Sequence, residues 1–395
     1  MNFTNWIFVY AFAAIGHMAI WIALFNRLHS TSLNNRLIRR ASYPFFALNL
    51  FALPFLLAWF DSSWDPSMSL MPRAMTDLNG VFGGYIWFCL AMSGCTLLGW
   101  SSRKLSQRRQ VDSLVGYRAS EKDFSQFAEA AQRSGTEKFF AAIPGNQIYR
   151  CVVEDREIRL NGISKGFDGM TITHLSDFHF TGKICREYFE QVIKTANELN
   201  SDLILITGDI IDSKECWDWL PEVLGKLRAR QGVYFILGNH DERAKAETEL
   251  RQSLEQLGFI DASDRWISIR VDNQFLHIAG NELPWFGKSM TLGELPDHYS
   301  YGDLRILMSH SPDQWKWARK HGFDLVLAGH THGGQINIPI VGPVISPSRH
   351  GVKYASGMFE KDGKVMVVSR GISGEEPLRF NCPPEVGKIT LRTNG

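Results

Sequence analysis

The sequence predicts an α/β domain carried behind three transmembrane helices. Three observations predict it. Three apolar runs of membrane-spanning length fall within the first hundred residues. From about Gln147 onward, short apolar stretches alternate with amphipathic stretches of helix length. Five of those apolar stretches run straight into Asp, His or Asn residues of metal-ligand type.

The apolar runs are Trp6 to Phe25, Tyr43 to Phe60 and Val81 to Trp100, and none contains Asp, Glu, Lys or Arg. Each approaches the ~20 residues that a helix needs to cross hydrocarbon, so spans are expected at about 6–26, 43–60 and 81–100. Trp and Tyr near several ends suit aromatic belts. A cleaved signal peptide fits badly, because the first run lacks a basic flank and a small-residue cleavage site, and two more runs follow it. Arg27, Arg36, Arg39 and Arg40 lie between the first two runs, and Arg103, Lys104, Arg108 and Arg109 follow the third. The intervening loop holds Asp61, Asp65 and Asp77 against Arg73. Basic loops stay cytoplasmic. The expectation is a multi-pass protein of the inner (cytoplasmic) membrane, with its amino terminus outside and its catalytic part in the cytoplasm. His17, inside the first run, is either a functional intramembrane group or, the favoured reading, a hydrogen-bonding partner of a neighbouring helix. Residues 101–146 read as a polar juxtamembrane linker with helical spacing around Phe124, Phe127 and Ala131.

Composition excludes some roles. The 395-residue chain has a net charge of +1, which gives no general affinity for nucleic acid. Its six cysteines form no CxxC pair, so neither a disulfide framework nor a cysteine zinc site is expected.

The second region, 147–395, carries the chemistry. "MTITHL" runs into Asp177-Phe178-His179, "DLILIT" into Gly208-Asp209, "GVYFIL" into Gly238-Asn239-His240-Asp241, "LRILMS" into His310, and "FDLVLA" into Gly329-His330-Thr331-His332. Helical stretches lie between, such as Cys185 to Asn200 and Arg243 to Gly258. Taken singly, Asp177 is explained as a helix cap, Asn239 as a turn residue and His310 as a satisfied polar group. Five strand ends together are not explained as turns. The donor set Asp177, His179, Asp209, Asn239, His310, His330 and His332 is too large for one tetrahedral zinc. It suits two divalent ions sharing a carboxylate. Mixed nitrogen and oxygen donors without thiolate favour Mn, then Fe or Zn, over Ca or Mg. Such a pair, about 3.5–4 Å apart, is suited to phosphoryl hydrolysis.

These residues resemble the calcineurin-like metallophosphoesterases, whose pattern runs D-x-H, G-D, G-N-H-D/E, H and G-H-x-H, with order and intervals matching from about Gln147 to the end. The resemblance implies a β-sandwich flanked by helices. It implies one metal held by Asp177, His179, Asp209 and His332, and a second held by Asp209, Asn239, His310 and His330, with Asp209 bridging. It places His240 as a catalytic residue on the substrate phosphate and its leaving oxygen, and Asp241 as the group that orients His240. The tail from "GHTHGGQINIP" onward is similar to a membrane-associated subgroup that includes broad phosphodiesterases and pyrophosphatases of UDP-2,3-diacylglucosamine in lipid A synthesis. The substrate then expected is a phosphate compound, lipid-linked, reached at the bilayer. Many relatives have a single amino-terminal membrane segment, so the three spans weaken the transfer of that substrate. Gly333 and Gly334 are expected to let the backbone pass close to the metals, the alternative being a flexible turn. Arg370 and Arg379 either clamp a phosphate or pair with Glu375, Glu376 or Glu385. Residues 281–302 either cap the site, with Trp285 and Phe286 facing acyl chains, or pack under a loop. Two other functions stay open: a broad phosphodiesterase or phosphatase whose anchor sets only location, and an inactive metal-binding membrane module.

Overall fold

The computed structural model describes residues 3–31, 81–107, 111–127, 139–140, 143–244, 246–286, 296 and 299–394. The chain divides into two compact units, Met1–Arg109 and Gln110–Gly395.

In the first unit, α1 (Phe3–His29) and α2 (Val81–Gln107) are helices of 27 residues each. The stretch Phe8–His29 is the only one among the described residues long and apolar enough to cross a membrane. In α2, Gly83, Gly84, Ser93, Gly94 and Gly99 dilute the apolar run. The expected second span, 43–60, lies outside the described residues. The two helices pack on each other, with Gly16 against the Cys89 carbonyl, a close approach that only a small residue permits. His17 Nδ1 meets Tyr85 Oη at 2.5 Å, so its favoured reading, a hydrogen bond to a neighbouring helix, is the one the structure shows.

The second unit is a sandwich of two mixed sheets. The larger has strand order β1-β2-β15-β3-β4-β5-β6, built from β1 (Leu114–Asp123), β2 (Arg150–Arg159), β3 (Thr171–Leu175), β4 (Leu203–Thr207), β5 (Val233–Ile236), β6 (Ile260–Asp261) and β15 (Glu385–Arg392). The smaller has order β13-β14-β10-β9-β8-β7, from β7 (Trp266–Val271), β8 (Gln274–Asn281), β9 (Leu304–Ser309), β10 (Leu325–Ala328), β13 (Gly357–Lys361) and β14 (Lys364–Val368). A separate hairpin joins β11 (Asn337–Ile338) to β12 (Gly342–Pro343).

Period-two alternation makes the layers. In β4, Leu203 and Leu205 face the core between the sheets, while Ile204 and Ile206 face the outer core. That outer core includes Phe189, Val192 and Ile193 of α3 (Arg186–Glu198) and Leu250 and Leu254 of α4 (Glu247–Gln256). On the other sheet, Leu325 and Leu327 of β10 turn inward, while Val326 and Ala328 pack with Ala318 of α5 (Trp315–Lys320). Strands buried on both faces read as the unbroken apolar runs of the sequence.

The stretch expected as a linker, 101–146, is corrected in part. Leu114–Asp123 is an edge strand paired antiparallel with β2, and Ser125–Phe127 is a single 3-10 turn. Most of β1 is exposed, so no apolar pattern announced it. Ala131 lies outside the described residues.

A buried ion cluster ties β15 to β2. Arg156 bonds Glu154 and, at 2.9 Å, Glu385; Arg370 reaches Glu154 at 2.5 Å and Glu385 at 3.4 Å. Burial raises the Glu385 carboxyl, but Arg156 and Arg370 outweigh it and hold the pKa at about 2, against an ordinary 4.5. A depressed carboxylate stabilises the fold above its unfolded pKa, and that contribution fades as pH falls through the folded value. Glu385→Gln is therefore expected to destabilise the unit by about 3 kcal/mol at pH 7. The gap from the parent should close between pH 4.5 and 2 in urea titrations of the detergent-solubilised chain. A gap independent of pH would show that Glu385 contributes packing and not charge.

Candidate metal centre

The loops leaving β3, β4, β5, β9 and β10 at their carboxyl ends converge. In one group, donor atoms of Asp177, His179, Asp209 and His332 all lie within 4.8 Å of one another. In a second, Asp209, His310 and His330 meet within the same limit. Asn239 joins them, its Oδ1 3.1 Å from His310 Nε2. Asp209 belongs to both groups. All seven side chains expected as ligands are thus brought together.

Holding them there strains the backbone. Asp177, His179, Asp209, His330 and His332 have φ of 56°, 47°, 55°, 70° and 50°. Each such non-glycine residue costs on the order of 1–3 kcal/mol, and strain of this kind gathers at functional sites. Backbone contacts then aim the rings. His310 Nδ1 faces the Thr207 carbonyl at 2.7 Å, and His332 Nδ1 faces the Ser373 carbonyl at 3.1 Å. His179 Nδ1 faces Asp212 Oδ2 at 2.7 Å. Each ring therefore offers its Nε2 to the cluster.

The donor set fits divalent cations. His179 Nε2 and His332 Nε2 stand 3.0 Å apart with Asp177 and Asp209 beside them. His330 Nε2 is buried without a hydrogen-bond partner, an arrangement costly unless a cation accepts its lone pair. Burial, with His310 next to it, holds the His330 imidazole well below its ordinary pKa, and burial with His179 does the same for His332. Neutral imidazole is the form that binds metal. At His179 burial opposes protonation, but Asp212, Asp209 and Asp177 outweigh it and raise the pKa to about 9.

A third group, His179, Asp212 and His240, is a hydrogen-bonded triad. Asp212 bonds His240 Nδ1 through Oδ1 and His179 Nδ1 through Oδ2. Burial raises the Asp212 carboxyl, yet His240 and His179 hold it well below the usual carboxylate range.

A profile of the calcineurin-like phosphoesterase family matches residues 170–334. The uncharacterized metallophosphoesterase YkuE of Bacillus subtilis is 33% identical over 60% of this chain and 85% of its own length. The chain belongs to the calcineurin-like phosphoesterases. A zebrafish (Danio rerio) protein described as a transmembrane protein with metallophosphoesterase domain is 25% identical over 61% of this chain and 57% of its own. The UDP-2,3-diacylglucosamine pyrophosphatase LpxG of Chlamydia muridarum is 24% identical over 55% of this chain and 82% of its own. Family membership makes this phosphoesterase a phosphoric ester or anhydride hydrolase that uses divalent metals.

Within this phosphoesterase, the orienting role expected of Asp241 falls to Asp212. Asp241 Oδ1 accepts the amides of Ile210 and Ile211 at 2.8 and 2.9 Å, and Oδ2 accepts that of Gly238 at 2.8 Å. Asp241 thus ties the Asp209 loop to the Asn239 loop. The resemblance put Asp241 in that role, whereas the carboxylate that meets the His240 ring is that of Asp212. The sequence signal available for it is "GDIID", which puts a second aspartate, Asp212, three residues beyond Asp209.

Neither arginine of the tail is placed as a phosphate clamp. Arg370 pairs with Glu385, one of the two readings left open. Arg379 is fully buried behind His332, donating to the His332 carbonyl at 2.9 Å and to that of Ser373. Gly333 and Gly334 have φ of 65° and 82°. What crowds them is protein: a Cβ would lie 2.6 Å from Cys382 Sγ at Gly333 and 2.5 Å from Pro343 Cβ at Gly334. The close approach expected there is real, but its neighbours are these side chains. Phe286 is buried in the outer core. Trp285 packs against that core too, yet its ring also lies 4.6 Å from His330 and 5.3 Å from His310, walling one side of the site. Half of the expected cap, 287–295 and 297–298, lies outside the described residues.

Proposed function

We propose that the chain is a membrane-associated dimetal phosphoesterase that hydrolyses a phosphodiester or pyrophosphate bond, with UDP-2,3-diacylglucosamine as substrate and UMP and acylated glucosamine 1-phosphate as products. The observation that carries the reading is Asp209, shared by two donor groups with His240 at their edge. The His240 amide donates to Asp209 Oδ1 at 2.7 Å, and its ring lies 4.4 Å from that of His179.

Asp177, His179, Asp209 and His332 would hold one ion, and Asp209, Asn239, His310 and His330 the other. Bound there, the pair lowers the pKa of water and neutralises charge gathering on the phosphoryl oxygens, with Mn²⁺ the expected ion. Asp212 keeps the Nδ1 side of His240 engaged. That leaves Nε2 to bond the substrate phosphate and to give a proton to the leaving oxygen. Trp285 offers an apolar wall to the leaving group. Arg379 holds His332 in place from behind.

Phe8–His29 and the zebrafish relative support membrane association. The LpxG relative supports a lipid-linked nucleotide. The arrangement proposed for the membrane part is three spans with the catalytic unit in the cytoplasm, from the run lengths and the basic loops.

The test is UMP release from UDP-2,3-diacylglucosamine by the detergent-purified full chain, with and without Mn²⁺. Metal-dependent release is expected. Turnover confined to a generic aryl phosphodiester would discard the substrate and leave a broad phosphodiesterase. Bound metal with turnover of neither would leave an inactive module.

A further inference from the structure

The loop between His332 and β13 leaves the metal centre and returns to it. Its return end is pinned there, the Ala355 carbonyl accepting the Gly333 amide at 3.1 Å and the Thr331 hydroxyl at 2.7 Å. Between these points the chain makes the β11–β12 hairpin and exposes Ile336, Ile338, Ile340, Val341 and Ile345, with Ile340 82% exposed. Among the described residues of the catalytic unit, Val115 is the only other large aliphatic so exposed.

Two further features mark this loop. Ile340 has φ of 70°, a conformation that a β-branched residue adopts only under strain, at a position where it gains no burial in return. The segment Gln335–Ala355 also contains no Asp or Glu, while Arg349, His350 and Lys353 are all exposed. Arg349 keeps one charged neighbour, Asp313 at 3.4 Å, with 56% of its side chain still in solvent.

We propose that Gln335–Ala355 is a bilayer-docking element, its aliphatic tip entering the acyl boundary and its basic shoulder meeting anionic lipid headgroups. An apolar tip beside Arg349 and Lys353, on a segment with no acid of its own, matches that interface on both counts. A second copy of the chain matches less well, because its own loop would bring the same positive charges and no acid to pair with them. Docked this way, the rim bearing His332 faces the depth at which a lipid's phosphoester lies. This inference rests on the reading that the chain is membrane-associated.

The experiment uses the full chain in nanodiscs of phosphatidylcholine and phosphatidylglycerol. Cys95 is the one exposed cysteine and the other five are buried, so Ile340→Cys is made in a Cys95→Ser background and labelled with bimane. Lys194→Cys, exposed on α3, is the labelled control. Melting transitions matching the parent's establish that both are folded. With brominated acyl chains, the label at 340 is expected to lose most of its emission while that at 194 keeps it. Undiminished emission at 340 in disc-bound protein overturns the proposal, as does equal quenching at both positions. Undiminished emission with cross-linking between labelled chains assigns the loop to a second copy and overturns it likewise. A chain that elutes apart from the discs defeats the membrane reading itself, and this proposal with it.

Discussion

Asp209→Asn is expected to abolish turnover, by at least about a thousandfold, and to reduce bound metal below two ions per chain. The reason is positional. Asp209 Oδ2 lies 3.5 Å from His179 Nε2 and 3.3 Å from His310 Nε2, so one oxygen serves both donor groups. Its Oδ1 accepts the His240 amide at 2.7 Å. An asparagine must keep its carbonyl on that amide, which turns its NH2 toward the two imidazoles and sets a donor where a cation needs an acceptor. The fold should survive, because the substitution removes one charge from a set of buried carboxylates. The checks are turnover of an aryl phosphodiester, metal content by mass spectrometry and a melting curve in chelator. Full activity would refute the bridging assignment. Lost activity with two ions still bound would make Asp209 a proton acceptor and not a ligand.

Asp212→Asn should cost less, but through two routes at once. The parent carboxylate accepts Nδ1–H from both His179 and His240. An amide has one carbonyl for two donors, so one ring loses its anchor. Groups that orient a metal-binding histidine typically contribute about 10–100-fold in metal affinity or activity. The distinguishing measurement is made in a His240→Ala background. If Asp212 acts only on His240, adding Asp212→Asn changes nothing further. If it also aims His179, metal affinity falls again by about tenfold or more. The second outcome is expected, and an unchanged affinity would confine Asp212 to His240.

The candidate donors are legible because each lies straight after an apolar strand, where a local pattern suffices. Loop convergence then does the rest, since open sheets gather their carboxyl ends. The role of Asp212 was not legible in the same way. Asp241 is next to His240 in the chain, but its carboxyl turns to the backbone amides of Ile210, Ile211 and Gly238, while Asp212, 28 residues away, reaches the ring. Side-chain direction on a strained loop is set by tertiary packing, not by sequence neighbours. β1 is unmarked in the sequence for another reason. Its residues are mostly exposed, so neither the period of a half-buried strand nor an unbroken apolar run is present. Arg370 and Arg379 stayed ambiguous because a guanidinium serves a phosphate, a carboxylate or a carbonyl equally well until its surroundings are known.

The place of β15 bears on how the protein is made. The last strand of the chain lies between β2 and β3, parallel to one and antiparallel to the other. Until Glu385–Arg392 has left the ribosome, β2 and β3 each keep an unsatisfied edge, and the Arg156 cluster lacks Glu385. The larger sheet is therefore completed only once Glu385–Arg392 has emerged, by pairing across more than two hundred residues of intervening chain. Nascent and prematurely terminated chains carry open strand edges, which are the sites of aggregation. A nonsense codon just before Glu385 would remove an interior strand of the sheet, leaving all seven candidate metal donors in the sequence without the sheet that positions them.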